Sequence, residues 1–191
     1  MLKDLIISKV RVKLLEIFFA HPNEIYHVRD LVRRTGEEIN SVRRELAHME
    51  SAGMVKKESR GNRLYYWFNK SYLFYPELTR MLAKTTGLGA EIIKNRNKIG
   101  RLSFVMFSGK YVSKMERKPD EVDILIVGEV VMPEVAALIK AEEEKIKREL
   151  NYTVMTPEEF VFRKKRRDPF LMGILFGTRV MIIGSEEELV A

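Results

Sequence analysis

Glu121 and Asp123 are the residues of this chain whose types and spacing point most directly to chemistry. They stand two positions apart on the β-branched run 122–127, which reads as a strand, and the alternation of a strand turns both carboxylates to one face while Asp120 points elsewhere. Two carboxylates on one face can meet the same divalent cation. About a dozen residues earlier, a second apolar strand candidate over 102–108 runs into Gly109-Lys110. There a glycine lets the backbone approach a phosphate closely, and a lysine supplies a point charge. Mg²⁺ and a nucleotide are the ligands such an arrangement would take.

A second group is suited to a polyanion. In the helical stretch ending near Ser51, the apolar stripe Ile39, Val42, Leu46 and Met49 points away from Arg44, with Asn40, Ser41 and His48 flanking it and Arg43 nearer the edge. Arg44 can pair with guanine or phosphate, Asn40 can read adenine or bind backbone, and Ser41 can contact either. Beyond it a hairpin candidate offers Arg60, Asn62 and Arg63 at its tip, with Lys56 and Lys57 on its first strand, as phosphate or minor-groove contacts. A bland alternative makes these charges a solvated face, and Glu37 and Glu38 at the helix start disfavour phosphate. The run Arg163–Arg167 is equally two-sided: a solvated helix end, or an extension of the anion-binding footprint.

The elements that must position these groups follow from periodicity. Residues 8–20 form a broad helical stripe that Pro22 ends, and Val28, Leu31 and Val32 mark a short second helix stopped by Gly36. The third helix starts near Glu37 or Glu38 and closes at Gly53. MVKKES and RLYYWFN flank a glycine-containing turn and read as a β-hairpin. A helical bridge over 72–97 carries a hinge at 84–89. Strand candidates at 102–108, 122–127, 151–155 and 179–183 then alternate with an amphipathic helix that starts at Pro133, which argues for an α/β domain. In that helix Glu143–Lys147 and Glu144–Arg148 read as i,i+4 surface pairs.

Composition bounds the rest. The 191 residues are 46% hydrophobic and 32% charged, which excludes a disordered or fibrous chain and allows one large domain or two small ones. Cysteine is absent, which excludes disulfides, thiolate zinc sites and cysteine nucleophiles, and His21, His27 and His48 show no HExxH spacing. The net charge of +7 favours an anionic partner. Residues 1–70 hold 14 Lys and Arg against 9 Asp and Glu, and residues 71–191 hold 20 against 18, so the excess lies in the first third. No apolar run is long enough for a membrane helix, and Asp4 and Lys9 break the N-terminal apolar stretch, so a cytoplasmic location without a membrane partner is expected. High Lys, Glu and Arg content fits a protein from a hot environment.

The segment SVRRELAHMESAGMVKKESRGNRLYYWFN (41–69) resembles the recognition helix and wing of ArsR-like winged helix-turn-helix regulators. The segment FVMFSGKYVSKMERKPDEVDILIVGEV (104–130) resembles the polymerase-beta-type, minimal nucleotidyltransferase, in which a Gly-Ser turn precedes Asp-x-Asp. With PELTRMLAKTTGLG (76–89), RELNYTVMTPEEF (148–160), RDPF (167–170) and RVMIIG (179–184), the whole resembles proteins that join a winged helix to such a domain. The departures matter. The Gly-Ser turn appears as Gly109-Lys110, or as Ser108-Gly109 in another alignment; the first acid is the longer Glu121; and the third acid is replaced by Asn151, Tyr152 or Thr153.

The fold class expected is therefore α+β: a winged helix-turn-helix over 1–71, a helical connector over 72–99, and a nucleotidyltransferase-like α/β domain with a mixed sheet over 100–191. The resemblance implies a transcriptional regulator that binds double-stranded DNA as a homodimer. Its second domain, catalytically inactive, serves dimerisation or effector sensing, with a nucleotide as the effector class. No cofactor is required, and Mg²⁺ accompanies a bound nucleotide at Glu121 and Asp123 beside Gly109 and Lys110. The alternative is a Mg-dependent nucleotidyltransferase acting on a protein, an RNA or a small molecule that the winged helix recruits. A third reading makes both domains protein-interaction modules.

Overall fold

The computed structural model describes residues 5–191, and Asp4, read above as breaking an apolar stretch, lies outside the described residues. The chain forms two compact units, one ending at Leu82 and the other spanning Ala83–Ala191. The stretch 72–99 is accordingly shared: Leu78 and Leu82 belong to the first core, and Leu88, Ile92 and Ile99 to the second.

In the first unit, Ser8 caps helix α1 (Lys9–Ala20), its hydroxyl accepting from the Arg11 amide at 3.2 Å. Val12, Leu14, Leu15 and Phe18 face inward at helical spacing. A two-residue strand β1 (Tyr26–His27) leads into α2 (Val28–Thr35), which Gly36 ends in the left-handed region that glycine adopts without a Cβ clash. Helix α3 (Ile39–Ser51) buries Val42, Leu46 and Met49. Strands β2 (Val55–Arg60) and β3 (Arg63–Phe68) form the hairpin, and β1 pairs with the far side of β3 to give a three-stranded antiparallel sheet, β1-β3-β2. Three helices and a hairpin thus follow in the order expected. Helix α4 (Tyr75–Thr85) closes the unit with Leu78 and Leu82 and crosses the boundary between the two.

The second unit is an α/β sandwich of three layers. Short helices α5 (Gly87–Lys94) and α6 (Arg96–Ile99) precede β4 (Gly100–Ser108) and the single-turn α7 (Gly109–Val112). Then come β5 (Ile124–Val130), α8 (Met132–Ile146), β6 (Tyr152–Met155), α9 (Pro157–Lys165), α10 (Pro169–Phe176), β7 (Arg179–Ile183) and α11 (Glu186–Val190). The sheet order is β6-β5-β4-β7; β5 and β6 run parallel and the other pairs antiparallel, so the sheet is mixed as expected. Alternation along β4 and β5 feeds two cores. Val105, Phe107, Ile124 and Ile126 pack with Leu88 and Ile139 on one face, while Met106, Leu125 and Val127 pack with Phe160, Leu171 and Leu175 on the other.

Two expectations are corrected. The strand expected over 122–127 begins at Ile124, so Glu121 and Asp123 precede it. Helix α8 stops at Ile146 because Lys147 turns into the left-handed region at φ +53, which carries Arg148 off the helix and away from any i,i+4 pairing with Glu144.

Candidate functional site

Two places in the fold collect the residues singled out above, one in each unit. In the first, α3 presents Asn40, Arg43, Arg44 and His48 to solvent opposite its buried stripe, with Ser41 half-buried. The acids around it are already engaged. Lys13 Nζ reaches Glu37 Oε1 at 2.6 Å, Glu38 caps α3 by accepting from the Asn40 amide at 3.3 Å, and Glu45 is held by Arg11 Nε at 2.5 Å and the Ser8 hydroxyl at 2.7 Å. The repulsion toward phosphate expected of Glu37 is thus offset by Lys13, whereas Glu38 keeps its charge at the start of α3.

Five consecutive positions of β2, Lys56 to Arg60, are exposed, so this strand of the hairpin is open to solvent. At its tip Gly61 takes φ +58 as the first of two loop residues, the place where a II′ turn requires glycine. The wing's cations divide into two sets. Lys57 is paired with Glu50 at 2.9 Å, and Arg60 with Glu58 at 2.9 Å, its guanidinium also over the Tyr65 ring at 5.1 Å. Lys56 and Arg63, like Arg43 and Arg44 on α3, have no ion-pair partner among the described residues. Asn62 is exposed between them at the tip.

In the second unit the sequence-predicted residues do converge at the end of β4. The Ser108 amide donates to the Asp123 carbonyl at 2.8 Å and its hydroxyl caps α7. Gly109 donates to the Thr178 carbonyl at 2.7 Å, and the contact leaves no room for a side chain: a Cβ would lie 2.1 Å from Thr178 Oγ1. Lys110 Nζ grips both oxygens of Glu121, at 2.6 and 2.7 Å, and the Lys118 amide adds a third bond at 2.9 Å. The Lys110 contact, and after it the Lys118 amide, hold the Glu121 carboxyl below the usual glutamate range.

Asp123 is placed differently. Its side chain is 0% exposed and accepts from Arg117 Nε at 2.7 Å, Arg148 Nη2 at 2.7 Å and the Asn151 amide at 3.0 Å. Asn151, standing where a third acid was looked for, donates its side-chain amide to the Glu121 carbonyl at 2.9 Å. Among the described residues no cluster of three or more His, Cys, Asp or Glu could hold a metal. A divalent cation at this place would have to displace a lysine from one carboxylate and two guanidiniums from the other, so the residues as arranged do not fit it.

Arg117 and Arg148 escaped sequence reasoning because both meet Asp123 across loops, at separations of 6 and 25 residues that no periodicity marks. Beside this cluster lies a cavity of about 380 Å³, bordered by Gly109, Lys110, Arg117 and Glu121 on its polar side and by Phe170 and Ile174 on its apolar side.

No family model matches the chain, and no curated protein matches it. Among solved structures, a crystal structure of a mutant MntA-HpeT toxin-antitoxin is similar over 53% of this chain and 80% of that one, at 12% identity and a TM-score of 0.31. No helix among the described residues is long and apolar enough to cross a membrane.

Proposed function

We propose that the first unit binds double-stranded DNA and that the chain is a transcriptional regulator, dimeric and cytoplasmic, whose second unit serves dimerisation or effector sensing. One observation carries the reading. The acids near α3 and the wing are occupied by local partners, while Arg43, Arg44, Lys56 and Arg63 stand exposed without one. Unneutralised cations grouped on one helix face and the hairpin beside it suit the phosphate and guanine of DNA. In a two-fold dimer, two such helices would meet successive major-groove turns of a palindromic site.

The test is a titration of the full chain with DNA from its own upstream region across salt concentrations, with nonspecific competitor present. Affinity should fall steeply with salt, and Arg44→Ala with Arg63→Ala should lower the logarithmic slope by about 2 if both meet phosphate. An unchanged slope, or no salt-sensitive binding, removes the reading.

The cavity beside the Gly109 turn and the half-exposed Glu121 favour a second reading for the other unit, nucleotide binding with transfer to a protein, RNA or small molecule. Against it stand the cations that occupy both carboxylates. Labelled nucleotide triphosphate with Mg²⁺ should then give a labelled product that Glu121→Gln, which leaves the buried Asp123 cluster intact, abolishes; absence of product removes this second reading.

A further inference from the structure

A groove on the second unit is not absorbed by either reading. It has a volume of about 950 Å³ and lies between α9, α10, α11 and the middles of β4 and β5. Its floor is apolar: Phe104 and Phe160 pack against each other at 5.8 Å between ring centroids, with Met172 and Leu175 beside them. Its lip is apolar as well and faces water, for Val161 is 47% exposed and Phe176 is 86% exposed. A phenylalanine so exposed beside a concave apolar floor marks a surface that gains by being covered.

The rim comes from the basic run whose use was left open above. Arg163 is committed to Glu159 at 2.8 Å and Asp168 at 3.5 Å, and Arg166 lies over the Phe162 ring at 4.4 Å. Lys164 turns inward to the Leu189 carbonyl at 2.8 Å. Lys165 and Arg167 line the groove and have no ion-pair partner among the described residues. With Glu188 as the acid among the lining residues, the groove combines an apolar trough with a surplus of positive charge.

We infer that this groove docks an acidic amphipathic segment of a partner protein, which places apolar side chains over Phe104 and Met172 and carboxylates on Lys165 and Arg167. Shape and charge together select this occupant. A nucleic acid stacks successive bases on several exposed ring faces, but Phe104 and Phe160 spend theirs on each other and on the core, which leaves the single ring of Phe176 on this groove open. A lipid surface would take up the protruding Phe176 but leave the apolar trough beside it unfilled. Among the described residues a second copy offers the acidic helices α8 and α11, but these already commit Val135, Ile139 and Leu189 to their own core.

The experiment selects a displayed random-peptide library on the full chain, with counter-selection on the Phe176→Asp variant. A selected peptide is then titrated by fluorescence anisotropy against wild type, Phe176→Asp and Lys165→Glu. Survivors should carry Asp or Glu interleaved with Leu, Ile or Phe at i, i+3 and i+4, and each variant should weaken binding by about tenfold or more, with its Tm unchanged. Three outcomes overturn the proposal: no such enrichment, equal affinity for the variants, or binding of single-stranded RNA or anionic vesicles that the same substitutions abolish. The result does not depend on DNA binding, because Arg44→Ala should leave peptide affinity unaltered.

Discussion

Replacing Asp123 by alanine separates a structural carboxylate from an idle metal ligand. With its side chain 0% exposed, the group receives two guanidiniums at 2.7 Å and a backbone amide at 3.0 Å. Deletion strands both guanidiniums beside a buried hole, and Arg148 Nε is already buried without a hydrogen-bond partner. Breaking a fully buried pair from one side costs about 3–5 kcal/mol, which is an upper bound here because Arg117 and Arg148 keep 20% and 33% exposure. For a unit of roughly 100 residues, whose unfolding entropy is near 0.2 kcal/mol/K, that bound corresponds to a fall in Tm of about 15–25 °C. The control is Glu121→Gln, which removes a solvent-screened pair and should leave Tm nearly unchanged. Thermal unfolding is followed by far-UV circular dichroism, which reports both units, and by the emission of Trp67, the single tryptophan, which lies on β3 of the first unit. A vestigial metal ligand predicts the opposite pattern: Asp123→Ala neutral or stabilising, and Mg²⁺ raising the wild-type Tm by mass action. Either result would refute the buried-clamp reasoning.

Two further outcomes follow from the same cluster. Gly109→Ala puts a methyl 2.1 Å from Thr178 Oγ1 and should cost about 1–3 kcal/mol in chemical denaturation, part of it recovered in the double variant with Thr178→Ala; a neutral Gly109→Ala contradicts the close approach of α7 to the residue before β7. The Glu121 carboxyl is depressed chiefly by Lys110, so its contact is fully made above the ordinary glutamate value and is lost as pH falls through the lower folded value. The Lys118 amide proton, followed by NMR, should titrate with a midpoint below the glutamate range, and Lys110→Ala should raise that midpoint; a midpoint at or above the range contradicts the geometry.

Local chemistry made much of the fold readable. The strand read at 179–183 is β7, the turn residue Gly36 caps α2, and the break between α4 and α5 falls inside the expected hinge, where Gly87 takes φ +52. In these places the signal is carried by side chains that decide their own backbone. Strand β1 was not readable, because two residues have no period and Tyr26 pairs only once β3 exists. The candidate site was half legible. Gly109, Lys110, Glu121 and Asp123 do come together, but the meaning of the carboxylates depends on Arg117 and Arg148, which arrive from elsewhere in the chain. Arg148 misled for a definite reason: helical spacing paired it with Glu144, and the left-handed turn at Lys147 redirected it.

The tip of the wing carries a consequence of its own. Its register sets Arg60 directly across from Arg63, two like charges on neighbouring strands, and Glu58 compensates only the first. Ionic strength therefore acts on the first unit with two signs. Added salt relaxes the self-repulsion of the bare hairpin and should raise the Tm of the free protein slightly, while the same salt loosens its hold on any polyanion. If the proposed DNA binding holds, melting curves of the protein with and without DNA, taken along one salt series, should approach each other and then meet.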